Sequence, residues 1–311
     1  MKFLFFILIL FFSNVVYAQA TWSGLGGDND WKTKSNWVDN KNPGKTDAII
    51  FDGSLRPINN NDLNNLSPPS LTFNSGATAF TLNGNAISLS GNLINNSVNS
   101  QILNFAEIDL TGNRTINTAS GNISILSPIT GSFGIEKIGN SILSLSGNNT
   151  YTGSTIANAG SLFQNGTHIG GNYLINSILG GNGTIGSISS PANVTFAGSS
   201  KFYVLDLIDP LTIYGNATFN VGFGIDNILG LDWDSLDLNT PYTIISTSQV
   251  FSPASIENFG YSNRAPVGTG RFAYFQNGSL QIVVVPEPNL FFGSLMVLTT
   301  FWLCRKHLFK S

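Results

Sequence analysis

The 311-residue chain has one cysteine, Cys304, and two histidines, His168 and His307. A single thiol excludes a disulfide framework and a zinc site built on cysteines. Two histidines exclude a histidine-rich metal centre. Charge is scarce as well: 10% of residues are Asp, Glu, Lys or Arg, against roughly 25% in an average globular protein. A coiled coil or helical bundle needs Ala, Glu, Lys and Leu in quantity, and this composition does not supply them. Net charge is −3 and the isoelectric point about 5.3, so no field attracts phosphate and no nucleic-acid partner is expected. Disorder is disfavoured in turn, because 42% of residues are hydrophobic.

Small polar residues take the place of charge. Asparagine contributes 38 residues, serine 35 and glycine 33. The length allows one large all-β domain or two ordinary ones.

Both ends of the chain are apolar. Lys2 precedes an unbroken apolar run from Phe3 to Phe12, and Ala18-Gln19-Ala20 supplies the small-x-small pattern that signal peptidase accepts. The run is shorter than the ~20 residues a membrane anchor needs. Residues 1–20 therefore read as a signal peptide, with a mature chain starting at Thr21. At the other end Pro286-Glu287-Pro288 interrupts a strand-like Ile282 to Val285. Leu290 to Cys304 follows without a charge, then Arg305, Lys306, His307 and Lys310. A basic cluster behind an apolar segment resists translocation, so 290–304 reads as a membrane helix that stops transfer.

Between the ends lie 265 residues with ten Lys or Arg and 16 Asp or Glu. A short unit recurs in them: apolar-x-apolar-x-Gly-Asn, at Phe80–Asn85, Ile87–Asn92, Ile108–Asn113, Leu143–Asn148 and Leu211–Asn216. The alternation puts two apolar side chains on one strand face. Gly-Asn then ends the strand, because both residues tolerate the left-handed conformation of a tight corner. Strands this short need stacked neighbours to cover their apolar face, which a β-solenoid supplies. A β-sandwich is the rival, with longer and more even strands.

Two segments carry resemblances. Pro286-Glu287-Pro288, the apolar segment and the basic end at Arg305 and Lys306 resemble the PEP-CTERM sorting signal of Gram-negative bacteria. That resemblance implies an exosortase-type membrane peptidase as partner, cutting near the triplet. Gly134 to Leu162, with its core Leu143-Ser-Leu-Ser-Gly-Asn-Asn-Thr-Tyr-Thr-Gly153, resembles the autotransporter-associated β-strand (passenger-associated transport) repeat. Leu179 to Gly186 resembles the segment that trails it. This implies a right-handed parallel β-helix outside a cell and implies no activity. An autotransporter would end in a membrane β-barrel, whereas here the sorting tail follows. The opening Thr21-Trp22, Gly26-Gly27, Asp28, Trp31 and Asn36-Trp37 resembles that of exported repeat proteins and reads as an aromatic cap over the open end of the stack. A sugar-stacking platform is the alternative for these tryptophans.

The expected fold is thus all-β: a right-handed parallel β-helix (β-solenoid) with a Trp-rich N-terminal cap, a signal peptide and a C-terminal apolar helix. The expected layout is a cap at 21–60, a solenoid at 61–202 with the repeat at 134–162, a C-terminal solenoid or cap at 203–285, and the sorting and membrane segment at 286–311.

Candidate chemistry is sparse. His168 has no acid or nucleophile beside it in sequence and reads as a solvated loop histidine. Glu107 with Asp109, and Asp232 with Asp234, each alternate by two and could pair as acid and base on one strand face. Asp28-Asn29-Asp30 offers oxygen ligands without the spacing of a calcium loop and reads as a turn. No catalytic residue, metal or cofactor is assigned. The functional expectation is an exported, non-enzymatic structural or adhesive protein of the envelope or extracellular polysaccharide, held briefly in the inner membrane by its tail. A polysaccharide-active hydrolase or lyase on the same scaffold is the alternative.

Overall fold

A computed structural model describes residues 17–219, 222–247, 256–276 and 279–287. The expected membrane segment at 290–304 and the sorting residues Pro288, Arg305 and Lys306 lie outside them. Among the described residues no helix is long and apolar enough to cross a membrane.

Alternation at period two dominates the chain. Ile123–Ile125, Val194–Phe196 and Leu211–Ile213 each bury their outer two residues and leave the middle one half-exposed. Each such segment is too short to stand alone. Pairing with the equivalent segment one turn away satisfies its backbone and covers its apolar edge.

The result is a parallel β-solenoid of about eight turns, with helical residues confined to single 3-10 turns among the described residues. One face is a ten-stranded parallel sheet from Gln19–Trp22 to Ala217–Phe219. A second has nine strands from Ile58–Asn61 to Ile228–Leu229. The third starts with Ile87–Leu89, Ile108–Leu110 and Ile129–Gly131 and resumes at Asn148–Asn149. It closes on an antiparallel set: Pro241–Thr247, Leu280–Pro286, Arg271–Gln276 and Ala265–Val267. The ladder therefore already includes Ala48–Phe51 and Ile58–Asn61, inside the segment read from sequence as the N-terminal cap.

Turn length varies. Thr155 pairs with Tyr173, an offset of 18 residues, while Val194 pairs with Ala217, an offset of 23. The apolar-x-apolar-x-Gly-Asn unit marks a strand and the corner after it, on whichever face that corner falls. Phe80–Asn85 serves the second face and Ile87–Asn92 the third, which explains their spacing of seven residues.

The reason for the corner glycines differs from the sequence expectation. Of the five, only Gly84 has a positive φ, of 106°. No asparagine of the five units is left-handed. Gly91, Gly147 and Gly215 are required by space: a Cβ on them would strike the carbonyls of Pro69, Ser127 and Ala192 in the turn below. The asparagines tie turns together. Asn113 Oδ1 accepts the N–H of Gly134 at 2.9 Å, and Asn172 and Asn193 accept the N–H of Asn193 and Asn216 at 2.8 and 2.9 Å. Each amide oxygen thus replaces a backbone acceptor where the chain bends out of register.

Stacked aromatics fill the core at both ends. Trp22, Trp31 and Trp37 are buried, with Trp37 edge-on to the other two at 5.1 and 5.6 Å. Their indole N–H groups donate to Leu55 O, Asn59 Oδ1 and Trp31 O. No indole face is left for a sugar, which removes the platform alternative. Near the other end Phe196 stacks on Phe219 at 4.7 Å, and Phe219 packs on Phe223 at 4.4 Å. Ile, Leu and Val dominate the interior between.

Candidate functional site

A depression on the described surface lies where the second face bends into the third. Three successive corners stack there: Asn64-Asn65, Asn85-Ala86 and Ala106-Glu107. Leu66 and Ile87 form its floor, paired in parallel. Ser88 and Asp109 stand on the wall, directly in register. The trough holds about 600 Å³.

The sequence fixes this geometry in a simple way. Ile108 and Leu110 point inward on their strand, so Asp109 between them must point outward. Glu107, one residue before the strand, shares that outward side. Thr130, in register with Asp109 one turn on, donates to Glu107 Oε1 at 2.9 Å and fixes its rotamer. Asn85 Nδ2 spans the corner to Leu63 O and Asn64 Oδ1 at 3.1 and 3.0 Å. These two bonds tie the Asn85 amide to the turn below.

Electrostatically the trough is negative. Glu107 and Asp109 line it, and no Lys, Arg or His does. The ion pairs found among the described residues lie elsewhere: Lys32 to Asp62 at 3.6 Å and Arg271 to Asp234 at 3.7 Å. The chemistry available is hydrogen bonding by amides and hydroxyls plus attraction of a cation by two carboxylates.

The second acid pair does not form a site. Asp232 and Asp234 sit in a turn and not on a strand. Asp232 Oδ1 accepts the N–H of Asp234 at 3.2 Å. Asp234 accepts the N–H of Thr269 at 2.8 Å and pairs with Arg271. Arg271 also donates to the carbonyls of Trp233 and Leu236. Together they clasp this loop to the final hairpin. Asp28 is likewise part of a turn: Thr33 Oγ1, Asp30 N and Asn36 Nδ2 all donate to it. The bonds from Thr33 and Asp30 hold its carboxyl below the usual carboxylate range. Among the described residues no group of three or more His, Cys, Asp and Glu could hold a metal ion.

His168 corrects the sequence reading outright. It is fully buried, not a solvated loop residue. It lies on a strand, in the inward column Asn149–His168–Ile185–Ile213. Its ring stacks on Tyr151 at 4.0 Å, Nδ1 meets the Tyr173 hydroxyl at 2.9 Å and Nε2 meets Tyr151 O at 2.9 Å. The Tyr173 hydroxyl also lies 2.9 Å from Gln164 Oε1 and has one proton to share between the two contacts. Burial pushes the imidazole down to about 4, against the opposing bond to Tyr151 O, so it is neutral at pH 7. Burial also raises Tyr151 to about 12 and Tyr173 well above its ordinary value. The cluster is a sealed polar plug.

Lys137 escaped the sequence reading. It is buried in the column between Ile116 and Ala157. Its Nζ donates to the carbonyls of Ile138, Gly139 and Ala159 at 3.0, 2.7 and 2.8 Å. Burial lowers it to about 8, and it still carries its proton at neutral pH. The three carbonyls satisfy its three donors.

At the chain ends, Ala18 O accepts the N–H of Ala48 at 2.8 Å, and Ala20 is buried on a strand opposite Ile49. Pro286 and Glu287 are exposed where the last strand ends, and Glu287 N–H donates to Gly270 O at 2.8 Å. Compared with known proteins, the chain matches no family model, no curated protein and no solved structure.

Proposed function

We propose that the protein is an exported, non-enzymatic structural or adhesive component of the cell envelope or extracellular polysaccharide. Signal peptidase releases its N-terminus. An exosortase-type peptidase recognises the tail that carries Pro286, Glu287, Pro288, Arg305 and Lys306, after transient anchoring through residues 290–304. The solenoid is right-handed, as nearly all parallel crossovers are, and the buried tryptophans close its N-terminal end. The observation that carries this reading is the outward surface. Ladders of amides and hydroxyls run along the faces, such as Asn60–Asn83–Asn104 and Ser124–Ser144, and the trough offers the same groups. Such a surface makes many weak, repeated hydrogen bonds to a hydrated polymer.

Pro286 and Glu287 support the sorting part, because both are exposed where the last strand ends, Pro286 paired with Arg271 and Glu287 bonded through its N–H to Gly270 O. Mass spectrometry of the mature C-terminus tests it. A shortened chain is expected in cells with an active sorting peptidase, and a chain still ending at Ser311 there defeats the proposal.

The second reading, a polysaccharide-active enzyme, has one observation in its favour: Glu107 and Asp109 share the trough. Against it as a lyase, the trough lining holds no basic residue to stabilise the anion that forms when the sugar loses a proton. Release of reducing ends from the host's polysaccharide, abolished in Glu107→Gln, would establish the enzyme and displace the structural role.

A further inference from the structure

A second depression lies at the far end of the solenoid, and it is apolar. Two loops form it. Val204 to Ile208 leaves the second face after Lys201–Tyr203, and Gly230 to Leu236 leaves it one turn later, after Ile228–Leu229. The groove holds about 370 Å³. Leu205 is 46% exposed and Ile208 94%, while Leu207 and Leu231 are half-buried against the core. Clustered apolar exposure of this kind marks a contact surface. The loops are pinned. Asp206 Oδ1 accepts the N–H of Ile208 at 2.7 Å, and Arg271 donates to the carbonyls of Trp233 and Leu236.

The same clasp brings the end of the last strand to this groove. Pro286 pairs with Arg271, and Glu287 N–H donates to Gly270 O at 2.8 Å. The neighbouring Thr269 N–H donates to Asp234 Oδ1, also at 2.8 Å, in the loop that walls the groove. The sequence runs on for 24 residues past Glu287. Leu290 is three residues on, a reach of about 10 Å at most.

Hydropathy and charge both match. Leu290 to Cys304 has no charge, and the tail from Pro288 onward carries Arg305, Lys306 and Lys310 with no acid. The groove is lined by Asp206 and Asp232, and Asp209 and Asp237 directly follow lining residues; all four are exposed. No Lys, Arg or His lines it. An apolar floor with an acidic rim suits an apolar segment that ends in bases. An anionic bilayer would be repelled by the same rim.

We infer that this groove is a docking site for the chain's own tail. Leu290, Phe291 and Phe292 cover Leu205, Ile208 and Leu231, and Arg305 and Lys306 lie towards the acidic rim. Docking shields the apolar segment from water until a membrane takes it up, and it fixes Pro286-Glu287-Pro288 against the end of the solenoid. It needs only the groove and the tail, so it holds whether or not the tail is sorted.

The test compares the full chain with one ending at Glu287, which keeps every described strand, in dilute solution without detergent. Amide exchange at residues 205–208 and 231–236 should be about tenfold slower in the full chain. Leu205→Ser with Ile208→Ser should remove that difference without lowering the melting temperature. With Cys304→Ser in place, a disulfide from Phe291→Cys to Ile208→Cys should form within one chain about tenfold faster than to Thr269→Cys, which stands at the exit but outside the groove. Equal exchange with and without the tail, slowing that survives the double variant, or no preference for Ile208→Cys overturns the inference. Protection that vanishes on dilution overturns it too, by giving the groove to a second copy. So does binding of the chain ending at Glu287 to phosphatidylcholine vesicles through Leu205 and Ile208, which would give it to lipid. A tail that docks in the purified chain yet still ends at Ser311 in cells with an active sorting peptidase defeats the sorting proposal and leaves this inference standing.

Discussion

At the scale of single residues, two buried polar side chains are the most exposed to test. His168 sits in the core with a folded value of about 4 and an ordinary value of 6.5. Between these pH values the unfolded chain binds a proton that the folded chain does not. Stability contributed by the neutral ring is therefore complete above pH 6.5 and is lost as pH falls towards 4, by about 3 kcal/mol. Tyr151 and Tyr173 face the ring but stay neutral over this range. Urea denaturation at pH 7.5 and pH 4 should show a larger loss for the parent than for His168→Phe, the difference being the histidine's share. Equal losses would mean that the ring is hydrated in solution. Lys137 should be intolerant for another reason. Lys137→Met leaves the carbonyls of Ile138, Gly139 and Ala159 without their donor, and a loss of about 3 kcal/mol is expected from unsatisfied buried acceptors. A loss under about 1 kcal/mol would show that those carbonyls find other partners.

At the scale of strands and corners, Gly147→Ala drives a methyl group into the carbonyls of Leu126 and Ser127 in the turn below. It should cost about 2–3 kcal/mol, whereas the half-exposed Ser146→Ala stays within about 0.5 kcal/mol. Comparable melting of the two variants would refute the close-approach account. The first strand gives a similar contrast. A protein starting at Gln19 keeps the pairs Gln19 to Ala48 and Ala20 to Ile49, and one starting at Thr21 loses both. The shorter chain should melt a few degrees lower. Strands and corners were legible because alternation and Gly-Asn repeat on the chain itself. The interior roles of Lys137 and His168 were not, since composition argues that polar residues stay outside. A signal for His168 exists all the same. In this one column of corners the residue two places after the glycine points inward, as Gly147 to Asn149, Gly166 to His168 and Gly183 to Ile185 show once the turns are in register. The trough was half legible. Glu107 and Asp109 stood out as a pair, but Asn64 and Asn85 join them only through turn lengths that alternation does not set.

For the molecule as a whole, cohesion comes from one continuous apolar core and its hydrogen-bond ladders, and hardly at all from charge. The ion pairs described involve exposed partners, with Lys32 59% and Asp234 51% accessible. Surface pairs of this kind contribute at most about 1 kcal/mol each. The chain's −3 net charge is spread along a rod, so self-repulsion is weak too. Salt should consequently leave folding almost untouched. Between roughly 0.05 and 0.5 M sodium chloride, where screening tightens from beyond 10 Å to under 5 Å, the melting temperature should move by no more than about 2 °C. A melting temperature that moves by about 10 °C or more would mean that charge holds the turns together. In that event the stacked apolar columns would not be the source of the protein's stability.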